Sequence, residues 1–233
     1  MSQTSVKILA IETATPACSV ALRTENGVIE RMQVGSNIHS KVLLNMVQSV
    51  LDEAKLNIKQ LDAIAVGRGP GSFTGLRIGV GVGQGLAFGA DCPMIGISSL
   101  DALALQATTT TGNVIAGIDA RMGQIYWCHY LKGKADIARQ GELCVSDPAK
   151  IHSPAGQTVL VGNAWQEYWQ QLEIGFRDTS KHLSDIVYPS AAAILQLAET
   201  SFVNGDYVTA AEFAPEYVRD DVAAKPRTSK LNK

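Results

Sequence analysis

The sequence predicts an α/β protein built from two related halves, each a mixed sheet covered by helices. Residues 7–34 read as three strands joined by tight turns, and helix and strand periodicities alternate after them. A similar beginning returns at Val114, after a run of threonines (Thr108–Thr111), as a second apolar strand with a hairpin partner. Antiparallel strands followed by alternating helices and strands are typical of a mixed α/β sheet.

A short internal similarity supports the duplication. A shift of 107 positions aligns three residues of the first strand with three later ones: Ile8, Ile11 and Glu12 with Ile115, Ile118 and Asp119. An acid thus ends the first strand of each half, just before a hairpin turn, which predicts a cleft between the halves. We therefore expect an N-terminal domain at residues 1–107 and a smaller, less regular C-terminal domain at residues 108–233.

The first elements follow from local signals. The apolar stretch Lys7–Ala14 reads as a buried strand, Ser19–Arg23 as its neighbour, and the Asn26-Gly27 turn leads to a third strand, Val28–Val34. From His39 to Lys55 the period becomes helical. Apolar residues cover nearly half of that helix, which is more than one sheet requires. The helix is therefore either wedged between the sheet and nearby loops or exposed to a partner.

The remaining elements are assigned in the same way. In the N-terminal half they are a strand at Ala63–Val66, a glycine-rich helix at Gly75–Ala90, a strand at Met94–Ile97 and a helix opened by Ser98 or Ser99. In the C-terminal half they are strands at Val114–Asp119, Gln124–Leu131 and Thr158–Val161, a helix from Ala164 and an amphipathic helix at Ala191–Val203. A basic tail runs from Glu216 to Lys233.

The glycine-rich helix is the most informative segment. Each glycine inside a helix costs about 1 kcal/mol relative to alanine, so a helix this rich in glycine implies a need for bare backbone. At about 100° per residue, the glycines fall into two rows on roughly opposite sides. The rows are Gly75, Gly79 and Gly83 on one side and Gly81, Gly85 and Gly89 on the other. One row allows close packing within the domain, and the second predicts a partner that packs from outside.

Composition excludes several classes of protein. The chain has 233 residues, 46% hydrophobic and 18% charged, which fits a compact fold. A net charge of −2 provides no broad surface for nucleic acid. The four cysteines are scattered, without CxxC spacing, which favours a reducing compartment. No signal peptide or membrane-length apolar run is present, so we expect a cytoplasmic protein without membrane contact.

Four segments together carry a family resemblance. They are ILAIETATPACSVAL (8–22), GRGPGSFTGLRIGVGVGQGLA (67–87), IDARMGQIYW (118–127) and PEYVRDDVA (215–223). The two strand–acid–hairpin units resemble the actin/hexokinase/Hsp70-type ATPase fold, that is, two RNase H-like domains. With these segments the chain is similar to the TsaB (YeaZ) family of bacterial tRNA threonylcarbamoyladenosine biosynthesis proteins. The similarity extends over nearly the full length and weakens between residues 132 and 210.

The resemblance implies a non-catalytic subunit in the modification of adenosine 37 in ANN-decoding tRNAs. In the family, the catalytic paralogue TsaD forms a heterodimer with TsaB, a small ATPase named TsaE joins the pair, and TsaB self-associates through the same surface. The resemblance implies tRNA contact that is only indirect or weak. It places the interface on the first two helices. Transferred to this sequence, the partner-interface residues are Leu43, Met46, Val47, Val50, Leu51, Ile78, Gly81, Val82, Gly85 and Gly89.

A nucleotide site is the next candidate, and we expect at most a vestige of one. Its residues would be Glu12, Thr13, Arg68, Gly69, Ser72, Thr74, Arg77 and Asp119. ATPases of the resembled fold hold a metal–phosphate at the two acid positions, but the first turn, ETATPACS, lacks paired glycines to wrap a phosphate. The loop after Val66 lacks a P-loop lysine and a Rossmann glycine pattern. The acids are expected to serve as hydrogen-bonding turn residues.

Other chemistry has weaker support. The four histidines are far apart in sequence, so no HxxxH metal pair exists, and we expect neither a metal nor another cofactor. Ser72 stands one place early for the G-x-S-x-G nucleophile motif, and Ser72 or Thr74 is expected to cap the glycine helix. Two alternatives to an accessory subunit stay open. One is a small-molecule kinase or ATPase that uses the cleft, and the other, less favoured, is a peptidase.

Overall fold

The computed structural model describes residues 6–109, 112–134, 136–152 and 154–218. The strands are β1 Ile8–Glu12, β2 Ala17–Thr24, β3 Gly27–Val34, β4 Ala63–Gly67, β5 Met94–Ile97, β6 Gly112–Asp119, β7 Ile125–Lys132, β8 Ile137–Arg139, β9 Cys144–Ser146, β10 Thr158–Val161 and β11 Ser180–His182. The helices are α1 His39–Ala54, α2 Phe73–Ala90, α3 Ser99–Leu105, α4 Ala164–Tyr168, α5 Ile174–Thr179 and α6 Ala191–Asn204. Short 3-10 turns lie at Ile58–Gln60, Pro148–Lys150 and Trp169–Gln171.

The first lobe is built on a five-stranded sheet in the order β3-β2-β1-β4-β5. Strands β1 to β3 pair antiparallel, while β4 and β5 run parallel to β1. The β2–β3 turn uses Gly27 at a φ of +124°, a conformation that glycine adopts without strain. Because β1 and β4 are central, both of their faces are apolar: one face packs on α1 and α2, and the other packs on α6.

The second lobe repeats this plan. Its sheet has the order β11-β10-β6-β7-β8, and β9 also pairs with β7. β6 and β7 form an antiparallel hairpin, and β10 lies parallel beside β6, as β4 lies beside β1. The predicted fold class, two mixed sheets with helices, is therefore confirmed. Strands β8, β9 and β11 were not predicted, because strands of three residues are too short to show a period.

The predicted division between residues 107 and 108 stays a prediction: β6, the first strand of the second sheet, begins at Gly112, and the chain later returns to the first sheet. Helix α6 packs its apolar face on the first sheet, in one cluster with Ile8, Ala10 and Ile95. Val208 then pairs with Met94 at the end of β5. Residues 191–218 therefore belong to the first lobe, because that sheet offers the apolar face that α6 must cover. The predicted basic tail lies outside the described residues from 219 onward.

Two further features complete the architecture. The amphipathic helix predicted at Ala191–Val203 is present as α6, whose first turn is capped by Ser190. In the part of the chain that the structure describes, no helix combines the length and apolarity needed to cross a bilayer.

Candidate functional site

Helix α2 begins at Phe73, two residues before the predicted start, because Ser72 caps it. The Ser72 hydroxyl accepts a hydrogen bond from the backbone N–H of Gly75 at 3.3 Å. Ser72 itself has extended backbone angles, as an N-cap residue does. Of the two predicted capping residues, Ser72 and Thr74, Ser72 is the one that caps the helix, and its hydroxyl is engaged at the helix end.

The inner glycine row of α2 lies in direct contact with the first sheet. A Cβ atom on Gly75 would lie 2.2 Å from the carbonyl oxygen of Thr13, and one on Gly79 would lie 2.2 Å from Thr13 Oγ1. A Cβ on Gly83 would lie 2.6 Å from Val66 Cγ2. Side chains essentially never approach so closely, so these three positions require glycine for the helix to sit where it does.

The outer glycine row is open. A Cβ on Gly81, Gly85 or Gly89 would meet nothing within 4 Å. Phe88 lies on the same side, three residues from Gly85, and is 85% exposed. Ile78 and Val82 of this helix are partly buried against the first core. The outer side of α2 is thus a flat strip of backbone with an exposed aromatic ring at one end; we call Gly81, Gly85, Phe88 and Gly89 the outer strip.

The structure places the α1 residues of the predicted interface in the core of the subunit. These residues are Leu43, Met46, Val47, Val50 and Leu51, and none is more than 9% exposed. All five belong to the core between α1, α2 and the first sheet. They face inward because α1 is wedged against the sheet and α2, which was one of the two readings of its wide apolar arc. Leu44, 59% exposed, is the apolar residue of α1 that points outward.

Sequence reasoning missed Phe88 as a surface residue, although a signal was available. Phe88 follows Gly81 by seven positions, which is two helical turns, and therefore lies on the same side. A large aromatic residue on the outer row, rather than the inner one, indicates that this side is not packed within the subunit.

A cleft of about 750 Å³ lies between the two lobes. The first lobe lines it with Thr15, His39 and the start of α2, and the second lobe lines it with the β6–β7 turn. Among the residues of the predicted nucleotide site, Ser72, Thr74 and Asp119 line this cleft. Glu12 and Thr13 lie beneath its floor, fully buried. The cleft is large enough for a small molecule, so its side chains must be judged individually.

Glu12 is enclosed rather than presented to the cleft. Its Oε1 accepts a hydrogen bond from the backbone N–H of Ala14 at 2.6 Å, and its Oε2 accepts one from the Ser99 hydroxyl at 2.7 Å. Burial raises the pKa of this carboxyl to about 7, although the hydrogen bonds from Ala14 and Ser99 oppose the shift. With no exposed surface, Glu12 joins the end of β1 to the start of α3 and has no open side toward a ligand.

Asp119, the matching acid of the second lobe, is engaged in a similar way. Its carboxylate accepts hydrogen bonds from the backbone N–H of Arg121 at 2.8 Å and from the Tyr168 hydroxyl at 2.9 Å. The Arg121 guanidinium lies 3.0 Å from its second oxygen. Burial, together with the bond to Asp119, raises the pKa of Tyr168. Both carboxylate oxygens therefore serve the turn after β6, as a hydrogen-bonding turn residue would.

Arg68, in the loop before α2, and Arg77, in the first turns of α2, both have partners within the chain. Arg68 forms an ion pair with Glu216 at 3.2 Å, and its carbonyl accepts a hydrogen bond from the Glu216 N–H. The Arg77 guanidinium stacks over the Phe73 ring, 3.9 Å from the centroid. Gly69, at a φ of +109°, shapes the loop between them.

Two observations bear on hydrolytic and metal chemistry. Nε2 of His39 lies 2.9 Å from the carbonyl oxygen of Thr15. Among the hydrogen bonds of the described residues, none joins His39 to Ser72. Over the same residues, no group of three His, Cys, Asp or Glu side chains is placed to hold a metal ion.

Comparison with known proteins gives consistent results. The family model described as TsaD, tRNA N6-adenosine threonylcarbamoyltransferase, matches residues 27–226. The chain is similar to the tRNA threonylcarbamoyladenosine biosynthesis protein TsaB of Escherichia coli, at 39% identity over 94% of this chain and 97% of that protein. It is similar to TsaB of Haemophilus influenzae at 35% identity, over 95% and 97%. It also resembles the solved structure of YeaZ from Pseudomonas aeruginosa, with a TM-score of 0.84 and 36% identity, over 91% and 99%.

Proposed function

The chain belongs to the TsaB (YeaZ) family of tRNA threonylcarbamoyladenosine biosynthesis proteins, and from this premise we propose that it is a non-catalytic subunit. It docks through α2 on a TsaD-like paralogue that transfers the threonylcarbamoyl group. This proposal is supported above all by the outer strip, where three glycines meet nothing within 4 Å beside a phenylalanine that is 85% exposed.

The outer strip is suited to another helix. Glycines spaced four residues apart let a second backbone approach closely, as in small-xxx-small contacts between helices. The inner row holds α2 against the sheet, so the strip is rigid before the partner arrives. A preformed surface loses little conformational entropy on binding. Phe88, at the end of the strip, provides the large aromatic anchor that protein interfaces favour.

A non-catalytic role is supported by the two acids. Glu12 is sealed, and both oxygens of Asp119 are engaged by Tyr168 and Arg121. Glu12 therefore has no open side for a metal–phosphate group, and Asp119 would have to give up its ion pair with Arg121 to hold one. The reaction chemistry is accordingly assigned to the paralogue rather than to this chain.

The remaining partners are proposed from the family resemblance. A TsaE-like ATPase joins the heterodimer, and in the absence of the paralogue two copies of this chain associate through their outer strips. A net charge of −2 favours indirect or weak tRNA contact. Because the modified molecule is tRNA, we place the chain in the cytoplasm.

The docking claim is tested by Gly85→Leu. The leucine side chain projects into open space, so the monomer stays folded, but it holds the partner helix away from the strip. We expect co-purification with the paralogue to be lost and the thermal melting curve of the isolated chain to be retained. The matched control is Gly175→Leu, an equally open helical glycine in the second lobe, which leaves the complex intact. Undiminished complex formation by Gly85→Leu would refute the docking role of α2.

A second candidate function, a small-molecule kinase or ATPase, is favoured by one observation, the cleft of about 750 Å³. It requires the isolated chain to bind Mg-ATP. Calorimetric titration of the isolated chain with Mg-ATP separates it from the accessory role.

A further inference from the structure

One side chain connects the floor of the cleft to α2. Thr13, the residue after β1, donates its hydroxyl to the carbonyl oxygen of Gly75 at 2.9 Å. Its own carbonyl lies against Gly75, and its Oγ1 fills the space where a Cβ on Gly79 would begin. The inner glycine row is therefore shaped around Thr13, which is fully buried.

Thr13 is in turn held by its neighbour Glu12. The Glu12 carboxylate ties the turn that carries Thr13 to α3 through Ala14 N–H and the Ser99 hydroxyl. The same carboxylate leaves no room for a side chain on Gly67, where a Cβ would lie 2.1 Å from Oε2. Thr13 thus projects from a turn that is fixed against the ends of β1 and β4.

The support extends into the second lobe through α3. Asp101 of α3 accepts hydrogen bonds from the Tyr130 hydroxyl at 2.7 Å and from Arg139 at 2.7 Å and 2.8 Å. Ser99, two residues earlier, holds Glu12. Hydrogen bonds therefore link the second sheet to α3 and α3 to Glu12, and the adjacent Thr13 is bonded to α2.

We propose that Thr13 is a positioning residue for partner binding. It is buried and does not itself contact the partner, but it fixes the position of α2 and therefore of the outer strip. This rests on the docking role proposed above. Glu12 and Thr13 occupy positions at which a phosphate site is expected, yet Thr13 contacts the inner side of α2, opposite the outer strip. The turn at the floor of the cleft therefore acts on α2.

The hydrogen bond is tested by Thr13→Val, which keeps the shape of threonine but removes the hydroxyl donated to Gly75. We expect the dissociation constant for the paralogue to rise roughly tenfold, the equivalent of one buried hydrogen bond. The matched control, Thr13→Ser, keeps the hydroxyl and restores affinity. Binding is measured at a temperature where circular dichroism shows each variant fully folded, so that a loss of stability alone does not change the dissociation constant.

The steric contact is tested independently by Gly79→Ala. The added Cβ, 2.2 Å from Thr13 Oγ1, displaces α2 outward and weakens partner binding. In the double variant Thr13→Ala/Gly79→Ala the hydroxyl is gone and the new methyl group meets Thr13 Cβ at 3.4 Å, an ordinary contact. We therefore expect the double variant to bind the paralogue more tightly than Gly79→Ala alone.

The outcomes separate the two proposals. If Gly85→Leu abolishes the complex while Thr13→Val and Gly79→Ala bind like the wild type, the positioning role of Thr13 is wrong and the docking role stands. If Gly85→Leu leaves the complex intact, the docking role itself fails. Should Thr13→Val not fold, the comparison of Gly79→Ala with the double variant decides: equal affinities for those two would overturn the proposal.

Discussion

Glu12 occupies the space in which a side chain on Gly67 would begin. A Cβ on Gly67 would lie 2.1 Å from Glu12 Oε2, so the carboxylate is pressed against the bare backbone of β4. The contact closes the carboxylate off from the cleft while Ala14 and Ser99 bind its two oxygens. An acid at the end of β1 has thus become part of the interior, with consequences for stability.

The first prediction concerns pH. Burial raises the pKa of Glu12 to about 7, from 4.5 for an unperturbed glutamate. The folded chain therefore binds a proton that the unfolded chain has lost, and the contribution of Glu12 to stability decreases as pH rises from 4.5 to 7. The decrease is on the order of 3 kcal/mol at most. Denaturant unfolding at pH 5, 6, 7 and 8 measures it as the difference between the wild type and Glu12→Gln.

Glu12→Gln is the matched variant because glutamine has the same size and stays neutral. We expect its free energy of unfolding to exceed that of the wild type increasingly as pH rises through this window. A difference that is constant with pH would mean that Glu12 is ionised in the folded chain throughout.

The second prediction uses the two glycine rows of α2. Gly85→Ala is expected to stabilise the isolated chain by up to about 1 kcal/mol, since alanine favours the helix and nothing lies within 4 Å of the new Cβ. Gly83→Ala is expected to destabilise it by about 1–3 kcal/mol, because the new Cβ would lie 2.6 Å from Val66 Cγ2. Thermal denaturation of the two variants, identical in chemistry and two residues apart, measures the contrast. Equal shifts would contradict the assignment of inner and outer rows.

The third prediction concerns nucleotide. Because Glu12 is sealed and Asp119 is engaged by Tyr168 and Arg121, we expect titration of the isolated chain with Mg-ATP to release no heat in isothermal calorimetry. A binding isotherm that is lost in Asp119→Asn would instead support the kinase or ATPase function. Arg23→Ala, remote from the cleft, provides the control for nonspecific heat.

The fourth prediction concerns the segment after α6. The Gln84 side chain donates hydrogen bonds to the carbonyl oxygens of Ala210 at 2.8 Å and Phe213 at 3.2 Å, joining α2 to this segment. Gln84→Met keeps the size but leaves both carbonyls without this donor, so we expect a loss of about 1–3 kcal/mol. Hydrogen exchange of residues 206–218 should accelerate.

The control for Gln84→Met is Gln48→Met. Gln48 is exposed on α1 and bonds Asp52 of the same helix at 2.7 Å, so its replacement should cost well under 1 kcal/mol. If exchange in residues 206–218 is unchanged in Gln84→Met, the segment is held by its other contacts, chiefly Phe213 in the core.

Much of the fold follows from local patterns in the sequence. The hairpin at Asn26-Gly27, the strand period from Lys7 and the duplicated acid at Asp119 predict two mixed sheets, and the sheets are present. These signals are readable because the strand and helix periods are properties of the backbone itself. The same holds for the glycine rows, whose opposite orientation follows from helical geometry alone. The resemblance of the four segments to the TsaB family is likewise confirmed by relatives at 39% and 35% identity.

Tertiary structure decided what covers each apolar face. The wide arc of α1 is compatible with a partner or with the chain's own core, and only the packed structure places Leu43 and Val50 inside. It also places α6 against the first lobe, where the Ala191 N–H donates a hydrogen bond to the Ser19 hydroxyl, 172 residues away in sequence. The local sequence determines which residues are buried, but contacts between distant segments determine which surface each of them packs against. The outer strip of α2 needs sequence and structure together. The sequence shows the four-residue spacing of its glycines, and the structure shows that nothing among the described residues packs against them.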